Sequence, residues 1–348
     1  MNLAECPVTA SGTVTSLQSI DAAAGALVKD LHQPQPAIFW TDLPLTAAAG
    51  WICFGAAVLT PPTTWGFALA LTGASLLLYR ALCFIHELSH IRRSALPGFE
   101  TAWNLLVGVP LLMPSIVYVG VHQDHHGLSS YGTDQDPEYL PFARSRLAVV
   151  AFLLQSLLIP AFLLLRFLIL PWVGFVSSAF QRWLVRHASS LSMNVKYERK
   201  VNDAILSRFY RWQIVILAFW GAAAYLAASY SVGWRVLIVW YVATALASFV
   251  NTVRTLGAHG YETSGEPRTR IEQLADSIDT PGGPWTELWA PVGLRYHALH
   301  HYFPGIPYHN LGQAYRRLTG ERPPYRVVSS RSIAASLRRL LRLGAPER

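Results

Sequence analysis

Three short histidine clusters hold the residues best suited to chemistry: His86-Glu87-Leu88-Ser89-His90, His122-Gln123-Asp124-His125-His126 and His297-Ala298-Leu299-His300-His301. They take eight of the twelve histidines, and a ninth, His259, closes the stretch Arg254-Thr255-Leu256-Gly257-Ala258-His259. On a helix, residues three and four apart share a face. His86 and His90 therefore point one way, and the triplets His122/His125/His126 and His297/His300/His301 each gather on one side. Neutral imidazole suits zinc, copper, iron and nickel. Nine such ligands exceed what one four-coordinate zinc takes. They suit two ions, each with four or five nitrogens and an open position. Oxygen chemistry on an unactivated C–H bond needs a redox metal, which zinc is not, so iron is the natural assignment. One His-x-x-x-His at a helix end is weak evidence for a metal, whereas three clusters together are poorly explained as structural histidines. His32, His187 and His309 lack this spacing and are expected to be non-ligands. No catalytic side chain is assigned beyond the metal ligands. Glu87, Asp124, Asp134, Asp136, Glu138 and Glu262 lie near the clusters and are candidates to accept the second imidazole N–H.

The rest of the chain must bring these clusters to one place. Charged residues make up 14% and hydrophobic ones 52%, with 12 Trp and 15 Tyr. Soluble domains carry roughly 25% charge, so the composition indicates a membrane protein with aromatic interfacial anchors. Residues 1–37 are expected to form an N-terminal cytosolic segment. Apolar runs at 38–60 and 64–85, joined by Pro61-Pro62-Thr63, are each long enough to cross a bilayer and must pair as a hairpin. A second hairpin is expected from runs at 213–232 and 234–250. Segment 101–120 contains Asn104, Pro110 and Pro114 and is expected to be re-entrant or interfacial. Segment 147–180 is very apolar but holds Pro160, Arg166 and Pro171, which leaves a membrane hairpin and an interfacial helix both open. The basic stretch 181–212 suggests a cytosolic surface segment.

The expected fold is an all-α membrane protein. Two transmembrane helical hairpins, at 38–85 and 213–252, give four spanning helices, with interfacial helices and a cytosolic helical cap that carries the metal site. A membrane domain is assigned to 38–330 and a basic amphipathic tail to 331–348. In that tail Ile333, Leu337, Leu340 and Leu341 share one helical face, and Arg338, Arg339 and Arg342 lie towards the other, a pattern of interfacial helices. Arg92 and Arg93, just after the first cluster, mark the cytoplasmic side. The net charge of +8 fits anionic lipid rather than nucleic acid. Cys6, Cys53 and Cys83 show neither disulfide nor metal spacing.

The stretches H-E-L-S-H, H-Q-D-H-H-G-L-S-S-Y-G-T-D-Q-D-P-E-Y and H-A-L-H-H-Y-F-P-G-I-P-Y-H-N-L resemble the three histidine boxes of the membrane fatty acid desaturase and hydroxylase superfamily. The resemblance spans roughly residues 38–315 and specifies the superfamily far better than the substrate. It implies a non-haem di-iron centre on the cytosolic face, four transmembrane helices under a cytosolic cap, and an acyl tunnel. It also implies that the nine histidines, His259 included, are the iron ligands. Some animal acyl desaturases carry an asparagine four residues before the equivalent of His259, whereas Thr255 stands there and Asn251 lies a further turn back. No His-Pro-Gly-Gly haem-binding stretch occurs, so the electron donor is expected to be a separate protein of ferredoxin, rubredoxin or cytochrome b5 type. The F-P-x-I-P-Y-H-N-L trailer is similar to acyl-lipid desaturases, and desaturation of a fatty acyl lipid is the favoured activity. The alternative is a hydroxylase or ketolase acting on an alkane, carotenoid or sphingoid-like lipid. A non-catalytic metal-binding or transport protein is disfavoured, because transport favours ionisable groups at mid-membrane and these histidines sit at helix ends.

Overall fold

The computed structural model describes residues 21–321, 328–330 and 332–343. Cys6, most of the N-terminal segment, Arg331 and the last five residues of the tail lie outside them. The described residues are helical and contain no strand, only isolated bridges such as His259 with Ser277 and Asp279 with Tyr296.

Helix α1 (Asp21–Val28) precedes the long pair α2 (Pro36–Leu59) and α3 (Trp65–His90). Pro36 opens α2 at the position where a missing N–H costs nothing. The Thr64 side chain caps α3 by accepting the Phe67 N–H at 3.2 Å. The Pro61-Pro62-Thr63 turn holds α2 and α3 as the expected hairpin. The outer faces of α2 and α3 leave Leu45, Ile52, Leu59 and Leu69 exposed, as lipid contact requires.

Segment 101–120 does not span. Short α4 (Phe99–Trp103) runs into a π-helical turn, Asn104–Gly108, and the chain then reverses. Backbone carbonyls in such a reversal have no water to bond among apolar helices. Three indoles supply the bonds: Trp51 of α2 donates to the Leu106 carbonyl at 2.8 Å, and Trp220 and Trp240 donate to those of Val109 and Pro110 at 3.2 and 2.9 Å.

Helix α5 (Val121–His125) carries the second cluster, and α6 (Arg146–Ser156) leads to α7 (Ile159–Val176). The expectation of four spanning helices is not confirmed. Among the described residues, five helices are long and apolar enough to cross a membrane, α7 being the additional one. Its awkward residues explain the ambiguity. Pro171 removes the N–H that would bond the Phe167 carbonyl, and the Gln213 side chain donates to that carbonyl instead at 2.7 Å. Arg166 turns inward to Ser189 and Gln213.

After α8 (Ser178–His187), helix α9 (Asp203–Ala228) begins well before the apolar run at Gln213. Asn202 caps it by accepting the Ile205 N–H at 2.9 Å. Residues 203–212 therefore belong to this helix rather than to a separate surface segment, and Arg208 pairs with Glu100 at 2.9 Å. Helix α10 (Trp234–Leu256) packs against α3 and ends just before His259.

The cap is completed by α11 (Arg270–Asp276), α12 (His297–Tyr302), α13 (Tyr308–Glu321) and α14 (Ile333–Leu343). Thr269 and Glu272 form a capping box at α11. The apolar face of α14 is not wholly free for lipid. Leu340 is buried and Leu337 packs with it against Tyr131, Tyr139 and Tyr261, while Arg339 pairs with Glu262 at 2.8 Å.

Candidate metal centre

Each cluster reaches the centre on a different helix. His86 and His90 are one turn apart at the C-terminal end of α3, which extends past its apolar run. His122, His125 and His126 lie on and just after α5. Gly120 at φ +93° makes the sharp turn into α5, a conformation that disfavours a side chain. Arg199 braces this turn by donating to the carbonyls of Ile116 and Val119 at 2.6 and 3.0 Å. His297, His300 and His301 lie on α12, whose free Leu299 N–H is bonded by the Asp279 carboxylate at 3.1 Å.

All nine histidines converge. The ring nitrogens of His86, His90, His122 and His300 lie within 4.8 Å of one another, and so do those of His125, His259, His297 and His301. The Nε2 of His126 adjoins the first group, 3.1 Å from His122 Nε2 and 3.2 Å from His300 Nε2. His259 Nε2 is 2.8 Å from His297 Nε2. The remaining histidines stay outside: His32 meets the Val28 carbonyl, His187 lies 3.8 Å from Glu198, and His309 accepts the Gln35 N–H.

The far sides of the rings are fixed by acids and phenols. His122 Nδ1 bonds Glu138 at 2.7 Å, with the Tyr118 hydroxyl 2.8 Å away. His125 Nδ1 bonds Asp136 at 2.8 Å. His259 Nδ1 bonds the Tyr131 hydroxyl at 2.9 Å, which in turn donates to Asp276 at 2.9 Å. A proton held on Nδ1 leaves the Nε2 lone pair facing the centre. Asp136 and Glu138 thus do what their positions suggested, whereas Asp276 and Tyr131 were missed because only the fold brings them to His259. The other candidate acids serve elsewhere. Glu87 accepts the Tyr308 N–H at 2.9 Å and Asp124 accepts the Tyr197 hydroxyl at 2.7 Å. Asp134 is exposed.

Burial, reinforced by neighbouring imidazoles, holds His122, His126, His259, His297, His300 and His301 well below the usual histidine value. They are neutral at physiological pH. His125 is different: burial opposes its charge, but the adjacent Asp136 carboxylate outweighs that and raises it. Burial also pushes Glu138 up to about 7.

Two groups of imidazoles with nitrogens crowded to about 3 Å fit cations placed between them. His86 and His125 each keep a buried Nε2 with no hydrogen-bond partner, as a ligand atom would. Two nitrogen-rich sites side by side suit redox-active first-row metals, iron among them.

A cavity of about 350 Å³ leads to this centre. His86 and Glu138 line its inner end, and Ile159, Phe162, Leu163 and Phe167 of α7 form an apolar wall. Gln155, Phe162 and Asn251 line it and are also exposed, which puts its mouth between α6, α7 and α10.

Comparison with known proteins agrees with the site. Residues 60–331 match the fatty acid desaturase family. A ceramide hydroxylase of Caulobacter vibrioides is 41% identical over 306 residues, covering 86% of each chain. This chain therefore belongs to the fatty acid desaturase family, within the superfamily of membrane desaturases and hydroxylases.

Proposed function

We propose that this protein is an O2-dependent lipid hydroxylase acting on a ceramide or a related sphingoid lipid. The observation that carries the proposal is the 41% identity to a ceramide hydroxylase along 86% of the chain. It favours the hydroxylation alternative over the desaturation that the histidine-box trailer first suggested. The nine histidines are the proposed ligands of two irons, and the site is proposed to face the cytoplasm, where the Arg92-Arg93 pair lies beside α3.

Bound there, the irons would supply reductive activation of O2, so that R–H, O2, two electrons and two protons give R–OH and water. Electrons are proposed to come from a separate donor of ferredoxin, rubredoxin or cytochrome b5 type. The chain's own residues do the positioning. Asp136, Glu138 and the Tyr131–Asp276 pair fix the imidazole tautomers. The α7 wall excludes water and directs an alkyl chain towards His86. A cavity mouth beside lipid-facing side chains such as Leu158 and Phe162 allows a lipid to enter from the bilayer.

The test is product analysis with purified protein, a reduced donor and ceramide. The expected product gains one oxygen. A product lacking two hydrogens would return the assignment to desaturation. His125→Ala and His300→Ala should still insert in the membrane but lose turnover. Metal analysis should find about two irons per chain, and Asp136→Asn should weaken iron binding roughly 10- to 100-fold.

A further inference from the structure

The cavity contains charge that neither metal binding nor an apolar tunnel explains. Arg254, near the inner end of α10, lines it together with His86. Its Nη2 donates only to neutral partners, the Asn251 side chain at 3.2 Å and the Thr255 hydroxyl at 3.0 Å. Its Nε is buried with no hydrogen-bond partner, and no carboxylate among the described residues forms an ion pair with it. Arg166, which also lines the cavity, is likewise bonded only to neutral groups: Ser189, the Ala188 carbonyl and Gln213. A guanidinium in a spanning helix is costly unless it is used, and a planar fork with free N–H groups matches carbonyl and carboxylate oxygens.

We propose that Arg254, held by Asn251 and Thr255, is a head-group subsite that binds an acceptor oxygen at the polar end of the lipid, an amide carbonyl or a carboxylate. Arg254 is thus a specificity-determining residue. The inference rests on the proposed lipid hydroxylase reading and deepens it. Because the subsite and His86 line one small cavity, the carbon presented to the metals lies within a few bonds of the polar end. Oxidation far along the alkyl chain is disfavoured.

The subsite also contrasts with the α7 wall. That wall grips any alkyl chain without regard to its end, so it gives affinity but not register. A directional donor fork supplies the register. Losing a hydrogen bond from a charged donor to a buried oxygen weakens binding roughly 10- to 100-fold.

The test uses the full-length protein in detergent micelles, with binding measured separately from turnover. The probes are a short-chain ceramide, a fatty acid of matched length, and dodecane. Arg254→Met should weaken ceramide or fatty acid binding roughly 10- to 100-fold and leave dodecane unchanged. Arg254→Lys should lose less, because it keeps the charge but not the fork. If Arg254→Met does not fold, Arg254→Lys and Asn251→Ala provide the same comparison. Whichever acyl probe suffers more identifies the oxygen. Wild-type affinity for both acyl probes in Arg254→Met overturns the subsite, and so does an equal loss for all three probes, which would make Arg254 a strut. With turnover, the hydroxyl should be found near the polar end in wild type and scattered along the chain in Arg254→Met. A wild type that discriminates among the probes but oxidises none of them sinks the hydroxylase reading while leaving the subsite standing.

Discussion

The imidazoles that burial holds neutral make the metal-free protein sensitive to acid in a defined direction. Six of them have folded-state values depressed below the ordinary 6.5. In the unfolded chain they take up protons below about 6.5, and in the fold they resist, so their stabilising contribution is complete above that pH and is lost as pH falls. His125 has the opposite sign, because its raised value contributes below 6.5 and loses that as pH rises. Six outweigh one. Chelator-treated protein should therefore show a thermal midpoint that falls between pH 7.5 and 5.5. A flat or rising midpoint would mean that the rings are not held neutral. The convergence of the clustered histidines was legible because histidines at spacings of three and four announce a shared helix face. His259 had no histidine at such a spacing, and only its place just beyond the last apolar run pointed to it. Asp136 and Glu138 were legible through closeness to the second cluster. Asp276 was not, since it lies on another helix and is joined to His259 through Tyr131. Arg254 was visible as a basic residue but not as a cavity donor, because burial without a carboxylate partner is a property of packing.

Helices α2, α3, α9 and α10 were legible from unbroken apolar length, and the need to keep the first two clusters on one side argued against a span of segment 101–120. Helix α7 was ambiguous for a physical reason. Pro160, Arg166 and Pro171 each strain a rule for spanning helices, and the breaches at Arg166 and Pro171 are repaired by side chains distant in sequence. Gln213 takes part in both repairs, accepting from Arg166 at 3.2 Å and donating to the Phe167 carbonyl at 2.7 Å. Gln213→Leu leaves a buried carbonyl and a guanidinium short of partners, and should cost about 1–3 kcal/mol. The loss should be local, with faster amide exchange in α7 and an iron content close to wild type. Uniform loss of protection across α3 and α12 as well would show that α7 is not an independent unit.

At the scale of the whole molecule, one network ties the membrane hairpin to the cap. Arg80 of α3 pairs with Asp42 of α2, Nη2 to Oδ2 at 2.8 Å, and the Tyr308 hydroxyl donates to the same carboxylate at 2.8 Å. Tyr308 N–H also bonds Glu87, the neighbour of His86, and the Tyr79 hydroxyl donates to the Trp289 carbonyl at 2.9 Å. Residues of the third-cluster trailer are thereby seated directly on the helices that carry the first. Asp42→Asn should lower stability by about 1–3 kcal/mol, and the double variant with Arg80→Met should recover part of that loss, because the unpaired cation is then gone. If the double variant is worse than the single, the pair contributes by packing rather than by charge. The same pair has a consequence for how the protein is made. A lone Asp42 on α2, or a lone Arg80 on α3, would each oppose partition from the translocon into lipid. Together they form a neutral couple, so α2 and α3 are expected to enter lipid as a hairpin rather than as single helices.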